Sequence, residues 1–154
     1  MMPPSPRAGF TIVELMLVVG IIGILTATAL PRWHHMQLRA KRAEAPANMS
    51  GIATAQQAYA GAFDTFVTAS SNPGSPLNKQ PKPFLTGQPG WVDLGWKPDG
   101  DVRCTYATGV YGGGAWFRVD ATCDIDDDNN SAILRYYSDA STTPGWRDLY
   151  PQRY

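Results

Sequence analysis

Residues 10–30 read FTIVELMLVVGIIGILTATAL, an apolar run interrupted by a single carboxylate, Glu14. At a helical rise of about 1.5 Å per residue this stretch reaches roughly 30 Å, the thickness of a bilayer core. Such a segment must become a helix that crosses a membrane or buries itself among similar helices. The competing reading is a cleaved secretory signal, but signal cores usually run only ~7–15 residues behind a basic leader. Here Arg7 is the one basic residue before the run. No charged residue occurs between positions 15 and 31, after which Arg32, Arg39, Lys41 and Arg42 follow closely. The hydrophobicity is thus concentrated in one place, while the mean hydropathy of the whole chain is only −0.24. A carboxylate inside a spanning segment costs about 2.5–3.5 kcal/mol, so Glu14 either lies at the interface and reaches water or has a partner and a task.

Gly9-Phe10-Thr11-Ile12-Val13-Glu14-Leu15 resembles the prepilin peptidase motif of type IV pilins and type II secretion pseudopilins, and the run through Met16, Gly20, Gly23 and Leu25 to Pro31 is similar to that family as well. The resemblance implies a leader peptide over residues 1–9, cut between Gly9 and Phe10, and N-methylation of Phe10 by the prepilin peptidase. It also gives Glu14 a partner. The cut frees an amine on Phe10, and the family's assembly scheme has the Glu of an incoming subunit neutralise the amine of its neighbour, with Thr11 in the same assembly segment. Pairing two charges in an apolar bundle fixes register as well as attraction. Gly20, Gly23 and Pro31 weaken the upper half of the helix, because Gly costs about 1 kcal/mol and interior Pro about 3. In the resembling pilins this stretch loses helical order inside the filament. The positive-inside count, four Lys/Arg after the span against one before, favours a cytoplasmic C-terminal part. The resemblance implies the opposite orientation, and the motif is the more specific of the two signals.

Residues 10–31 therefore read as the transmembrane and assembly helix, and 32–67 as its amphipathic continuation. Met49, Ile52, Tyr59, Phe63 and Phe66 fall on one helical stripe. Pro46 is expected to kink or interrupt this stem. Residues 68–154 form a β-rich head that opens with a Pro-rich loop over 68–89, long and irregular enough to predict surface exposure. Beyond it, 102–110, 115–123 and 132–137 are short runs rich in Val, Tyr, Phe, Trp and Ile, with the Gly112-Gly113-Gly114 turn between the first two.

The chain has two cysteines. A hairpin symmetric about the Gly113–Gly114 bond sets Cys104 opposite Cys123, where paired residues on antiparallel strands stand within disulfide reach. Free thiols are the alternative; a bridge implies an oxidising compartment and an outward-facing head. Asp124, Asp126, Asp128 and Asn130 alternate like the early ligands of a calcium loop, but Asn129 stands where Gly is required and Arg135 where a bidentate Glu is required. The two readings are a solvated acidic turn, with no cofactor, and a calcium site. Both histidines, His34 and His35, sit in the stem, so no Ser/His/Asp or Cys/His grouping forms in the head, and the chain reads as no enzyme. Lys+Arg and Asp+Glu are equal at 13 each, and basic and aromatic residues do not interleave along the chain, which speaks against a nucleic-acid partner.

The expected architecture is α+β and pilin-like: a long N-terminal helix packed on an antiparallel sheet of three or four strands. The expected function is a structural subunit of a type IV pilus, polymerising with copies of itself. It would be held in the inner membrane with its head in the periplasm before assembly, and carried in an extracellular pilus afterwards. A pseudopilin of a type II secretion system and a low-copy minor pilin acting in adhesion or DNA uptake are the alternatives.

Overall fold

The computed structural model describes residues 9–74, 79–139 and 145–154. The leader up to residue 8 and positions 75–78 of the Pro-rich loop lie outside the described residues. The chain divides into two units, Met1–Gln37 and Leu38–Tyr154.

Helix α1 spans Ile12–Arg42 and runs unbroken through Gly20, Gly23 and Pro31. Every residue from 9 to 36 is exposed. Helix α2 spans Glu44–Phe63, so the stem is interrupted at Ala43 rather than at Pro46 itself. The cause is still Pro46. It has no N–H to offer the Arg42 carbonyl four residues back, and its ring crowds that same carbonyl. Ala43 stays near helical geometry and donates its own N–H to the Arg39 carbonyl at 3.1 Å.

The stem helix ends earlier than the expected residue 67. Asp64 adopts the left-handed conformation (φ 54°) and closes α2 by donating its N–H to the Ala60 carbonyl. Phe66 therefore lies beyond the helix, where it packs on Phe117 with ring centroids 4.8 Å apart. Phe63 is exposed and rests on Tyr59. The buried stripe of α2 is instead Ala45, Met49, Ile52, Ala53 and Gln56, a helical spacing that includes one polar residue.

The α+β, pilin-like arrangement is present, with five strands among the described residues rather than three or four. They are β1 (Ala69–Asn72), β2 (Cys104–Tyr111), β3 (Trp116–Cys123), β4 (Ala132–Tyr137) and β5 (Gly145–Asp148), all antiparallel and adjacent in chain order. A short helix, α3 (Trp91–Leu94), precedes β2. Strand β3 alternates half-buried and buried residues along its whole length, with Phe117, Val119, Ala121 and Cys123 pointing into the core formed with α2.

Strand β1 lies inside the stretch expected to be wholly irregular. Its sequence, ASSN, carries no β-branched residue; it is held by pairing with β2 and by a side chain that acts as a strand. Fully buried Asn72 donates to the Leu85 carbonyl (2.8 Å) and accepts from the Leu85 N–H (3.0 Å). Lys82 makes an isolated bridge to Val102, and Trp91 Nε1 donates to the Ser70 carbonyl. Gly90 permits this closure at φ +81°, for a Cβ there would lie 2.4 Å from the Thr68 carbonyl oxygen. Between these anchors residues 79–81, 83 and 85–87 remain exposed.

Candidate functional site

Among the described residues, the apolar side chains of the N-terminal segment are exposed from Phe10 to Met36. Phe10 and Ile12 are 78% and 79% exposed, and Leu17, Ile21, Ile24 and Leu25 are likewise open. Thr11 stands just before the first turn, and its Oγ1 accepts the Glu14 N–H at 3.2 Å. That bond marks Thr11 as the helix N-cap, with Glu14 three residues on, the spacing of a capping box. The Thr-Ile-Val-Glu spacing carries this role in the sequence itself, where it is overshadowed by the processing motif that overlaps it. Glu14 also lies in the first turn, where the helix dipole favours a negative charge. Among the described residues, one helical stretch is long and apolar enough to cross a membrane, and it includes this segment. A shallow apolar hollow on it is lined by Leu25, Thr26, Ala29, Leu30 and Trp33.

In the head, Cys104 and Cys123 face one another at the foot of the β2–β3 hairpin, with Cα atoms 4.3 Å apart, and form a disulfide. Both are fully buried, and no free cysteine remains. The hairpin turns through Gly112–Gly114, with all three glycines at positive φ.

The acidic turn follows directly. Side-chain oxygens of Asp124, Asp126 and Asp128 lie within 4.8 Å of one another. Asp124 is buried and accepts the Asp127 N–H; Asp128 accepts both the N–H and the side-chain amide of Asn130. Burial, followed by the charge of Asp128, pushes the Asp126 carboxyl above its ordinary range. The side-chain and backbone bonds from Asn130 pull Asp128 the other way. Asp126 Oδ1 is buried without a hydrogen-bond partner. As a calcium loop the turn fits only in its first half. Asn129 supplies φ +63° without being Gly, and Arg135 is directed to Asp120, bonding its Oδ1 at 3.0 Å. Two of the three clustered carboxylates, Asp124 and Asp128, accept hydrogen bonds from the turn's own backbone.

Three groups that sequence reasoning passed over organise the head. Arg42, the last residue of α1, is buried and reaches Asp148 and the carbonyls of Tyr150 and Pro151, which seats the C-terminal segment on the stem. Gln56 joins α2 to the Val67 backbone and to Thr108 of β2. Tyr106 lies under α2, its hydroxyl donating to Glu44 and accepting from Asn48, with burial first and the Glu44 charge second raising its pKa. A buried arginine or glutamine carries no periodic signal of its own, and its partners lie 11 to 109 residues away in the chain.

An exposed apolar helix with a capped acidic first turn, joined to a small disulfide-closed antiparallel head, defines a protein of the pilin-like class. The family described as the prokaryotic N-terminal methylation motif matches residues 4–30. The chain is 48% identical over 56 residues to the type IV major pilin protein PilA of Myxococcus xanthus, covering 36% of this chain and 26% of that protein. It is 42% identical over 51 residues to a fimbrial protein of Pseudomonas aeruginosa, covering 33% of each. Against the type IV major fimbrial protein FimA of Dichelobacter nodosus it is 44% identical over 48 residues, 31% of this chain and 30% of that one. The matches thus span about a third or less of these relatives. No solved structure matches. The N-terminal third of the chain is thus similar to type IV pilins and fimbrial proteins, and it carries their methylation motif.

Proposed function

We propose that this protein is the structural subunit of a type IV pilus. Made as a prepilin, it is cut after Gly9, methylated on Phe10 and held in the inner membrane by residues 10–31, with its head in the periplasm. It then polymerises with copies of itself into an extracellular filament. The observation that carries this reading is the wholly exposed apolar helix with one carboxylate in its first turn. Burying that surface supplies a driving force of about 25 cal/mol per Å² once it leaves water, but between lipid and a helix bundle the gain comes from packing and polar pairing instead. Glu14 supplies the polar pairing, with the freed amine of a neighbouring Phe10. Gly20, Gly23 and Pro31 provide the stretch that loosens in the filament.

Glu14→Ala tests the proposal. The variant is expected to be cut and methylated normally, as read by mass spectrometry of the mature N-terminus, and to be missing from sheared filaments. Normal filament yield from that variant, or a mature chain that begins elsewhere than Phe10, overturns it.

A further inference from the structure

The outer face of the sheet gathers groups that are scattered in the sequence. Gly109 of β2 pairs with Arg118 of β3, which pairs with Tyr137 of β4. One row along, Asp120 pairs with Arg135, and Arg135 with Arg147 of β5. Directly opposed residues share a face, so Arg118, Arg135 and Arg147 stand together on the side away from α2. Tyr111 and Trp116 stack at the edge of this patch with centroids 4.6 Å apart, and the guanidinium carbons of Arg118 and Arg147 lie 5.0 and 5.5 Å from the Tyr111 and Tyr137 ring centres. The rings brace the guanidinium groups and hold them in fixed directions.

Asp120 bonds both Arg118 and Arg135, yet it offers one negative charge to three positive ones. Like charges placed directly across a ladder, as Arg135 and Arg147 are, repel. The face thus carries an excess of positive charge in a chain whose formal net charge is zero. The matching excess sits on the turn after β3, where Asp127 and Asp128 are exposed beside Asp126. Arg153 of the same chain lies close enough to influence Asp128, but one cation leaves the turn negative. Arg118 and the end of β3 are five residues apart, which at about 3.3 Å per residue separates patch and turn by roughly 17 Å along one strand.

We propose that the Arg118–Arg135–Arg147 face receives the Asp126–Asp127–Asp128 turn of a second copy of this chain, as a head-to-head contact of the filament. This rests on the filament reading above and names a contact that the apolar helices do not supply. Because the two patches are different and lie apart, each copy both gives and receives a turn. A contact of that kind propagates instead of saturating, unless its rotation closes a ring. Charge pairs at such a rim set register and exclude wrong neighbours more than they add affinity.

Charge reversal tests it, in cells that assemble the full-length chain and with a chelator present so that no cation screens the turn. Asp127→Lys and Arg147→Glu are each expected to lower sheared filament yield about tenfold, and the two together in one chain to restore it to within about twofold of wild type, since like-charge contacts cost several kcal/mol and the exchange recreates an opposite pair. Both positions are exposed, so each single variant is expected to keep its thermal midpoint, which separates lost contact from lost fold. As a second readout, the chain with Asp127→Cys and Arg147→Cys is expected to give a ladder of disulfide-linked oligomers in filaments and none in detergent-dispersed subunits. Normal yield from both single reversals, or a ladder equally strong in dispersed subunits, overturns the head contact while leaving the filament reading intact. Absence of filaments from the wild-type chain overturns the filament reading itself.

Discussion

Replacing Gln56 by leucine isolates one buried amide whose removal has a calculable effect. The side chain is fully buried, and its Nε2 donates to the Val67 carbonyl and to Thr108 Oγ1 while its Oε1 accepts the Val67 N–H at 2.9 Å. Leucine fills nearly the same space and returns none of these bonds. Two orphaned backbone groups at about 1–3 kcal/mol each set the loss at roughly 2–6 kcal/mol, and burying the leucine recovers about 1.5–3. The net loss is therefore about 2 kcal/mol, a large fraction of the roughly 5–15 kcal/mol that holds a domain together. For a head of this size it lowers the thermal midpoint by about 8 °C. The assay is heating of the full-length chain in detergent micelles, followed by tryptophan fluorescence, because Trp91 is almost completely buried. Gln56→Glu serves as the companion variant. Its ionised carboxylate still accepts from Val67 N–H but cannot donate to the Val67 carbonyl, whereas the protonated acid does both. Its folded-state pKa is then raised above the unfolded value of about 4.3, so this variant is near wild type below that pH and loses stability as pH rises through the window above it. A midpoint for Gln56→Leu within about 2 °C of wild type would refute the argument, by showing that water or a backbone shift satisfies Val67.

Other outcomes follow from the same structure. Changing Cys104 and Cys123 together to alanine opens a loop closed at a sequence separation of 19, and the chain-entropy relation puts the loss at about 3 kcal/mol, read as a lowered denaturant midpoint with a somewhat steeper slope, because the uncrosslinked chain exposes more surface when it unfolds. Thr11→Val removes the acceptor for the Glu14 N–H; faster amide exchange of the first turn of α1 is expected, with the proposed cut after Gly9 unaffected. Gly20→Ala with Gly23→Ala meets no neighbour in the isolated helix and stabilises it by about 1 kcal/mol per site, so filaments of this variant are expected to extend less under load than wild type. Millimolar calcium and a chelator are expected to give the same thermal midpoint; an upward shift beyond about 2 °C in calcium would show that a cation closes the Asp124–Asp128 turn.

Much of the fold was legible where a short-range pattern dictates it. The three central strands stand close to their expected positions, and the register symmetric about Gly113 and Gly114 is the one observed, because a glycine-rich turn fixes which residues can face each other. The place of the stem's interruption followed from Pro46, though it falls at Ala43, since proline acts on the carbonyl four residues before it. Strand β1 was not legible: polar ASSN owes its conformation to Asn72 holding Leu85 and to Gly90 yielding space, and both act across the chain. Strand β5 is equally short, and its one strong packing residue, Trp146, meets Tyr136 only once β4 is in place. The arginine-rich face was invisible for the same reason. Arg118, Arg135 and Arg147 are far apart as letters, and only the ladder brings them side by side.

The seat of Tyr154 has a practical consequence for anyone labelling the molecule. Tyr154 is 6% exposed, its carbonyl accepts the Ile125 N–H and its hydroxyl accepts from Arg39 Nε. A reporter peptide spliced in beside it would start from inside the packing and tug at the acidic turn and the stem together. The open pair Thr86–Gly87, just past the Leu85 backbone that Asn72 holds, is the better place for an epitope or a dye, since both residues are exposed.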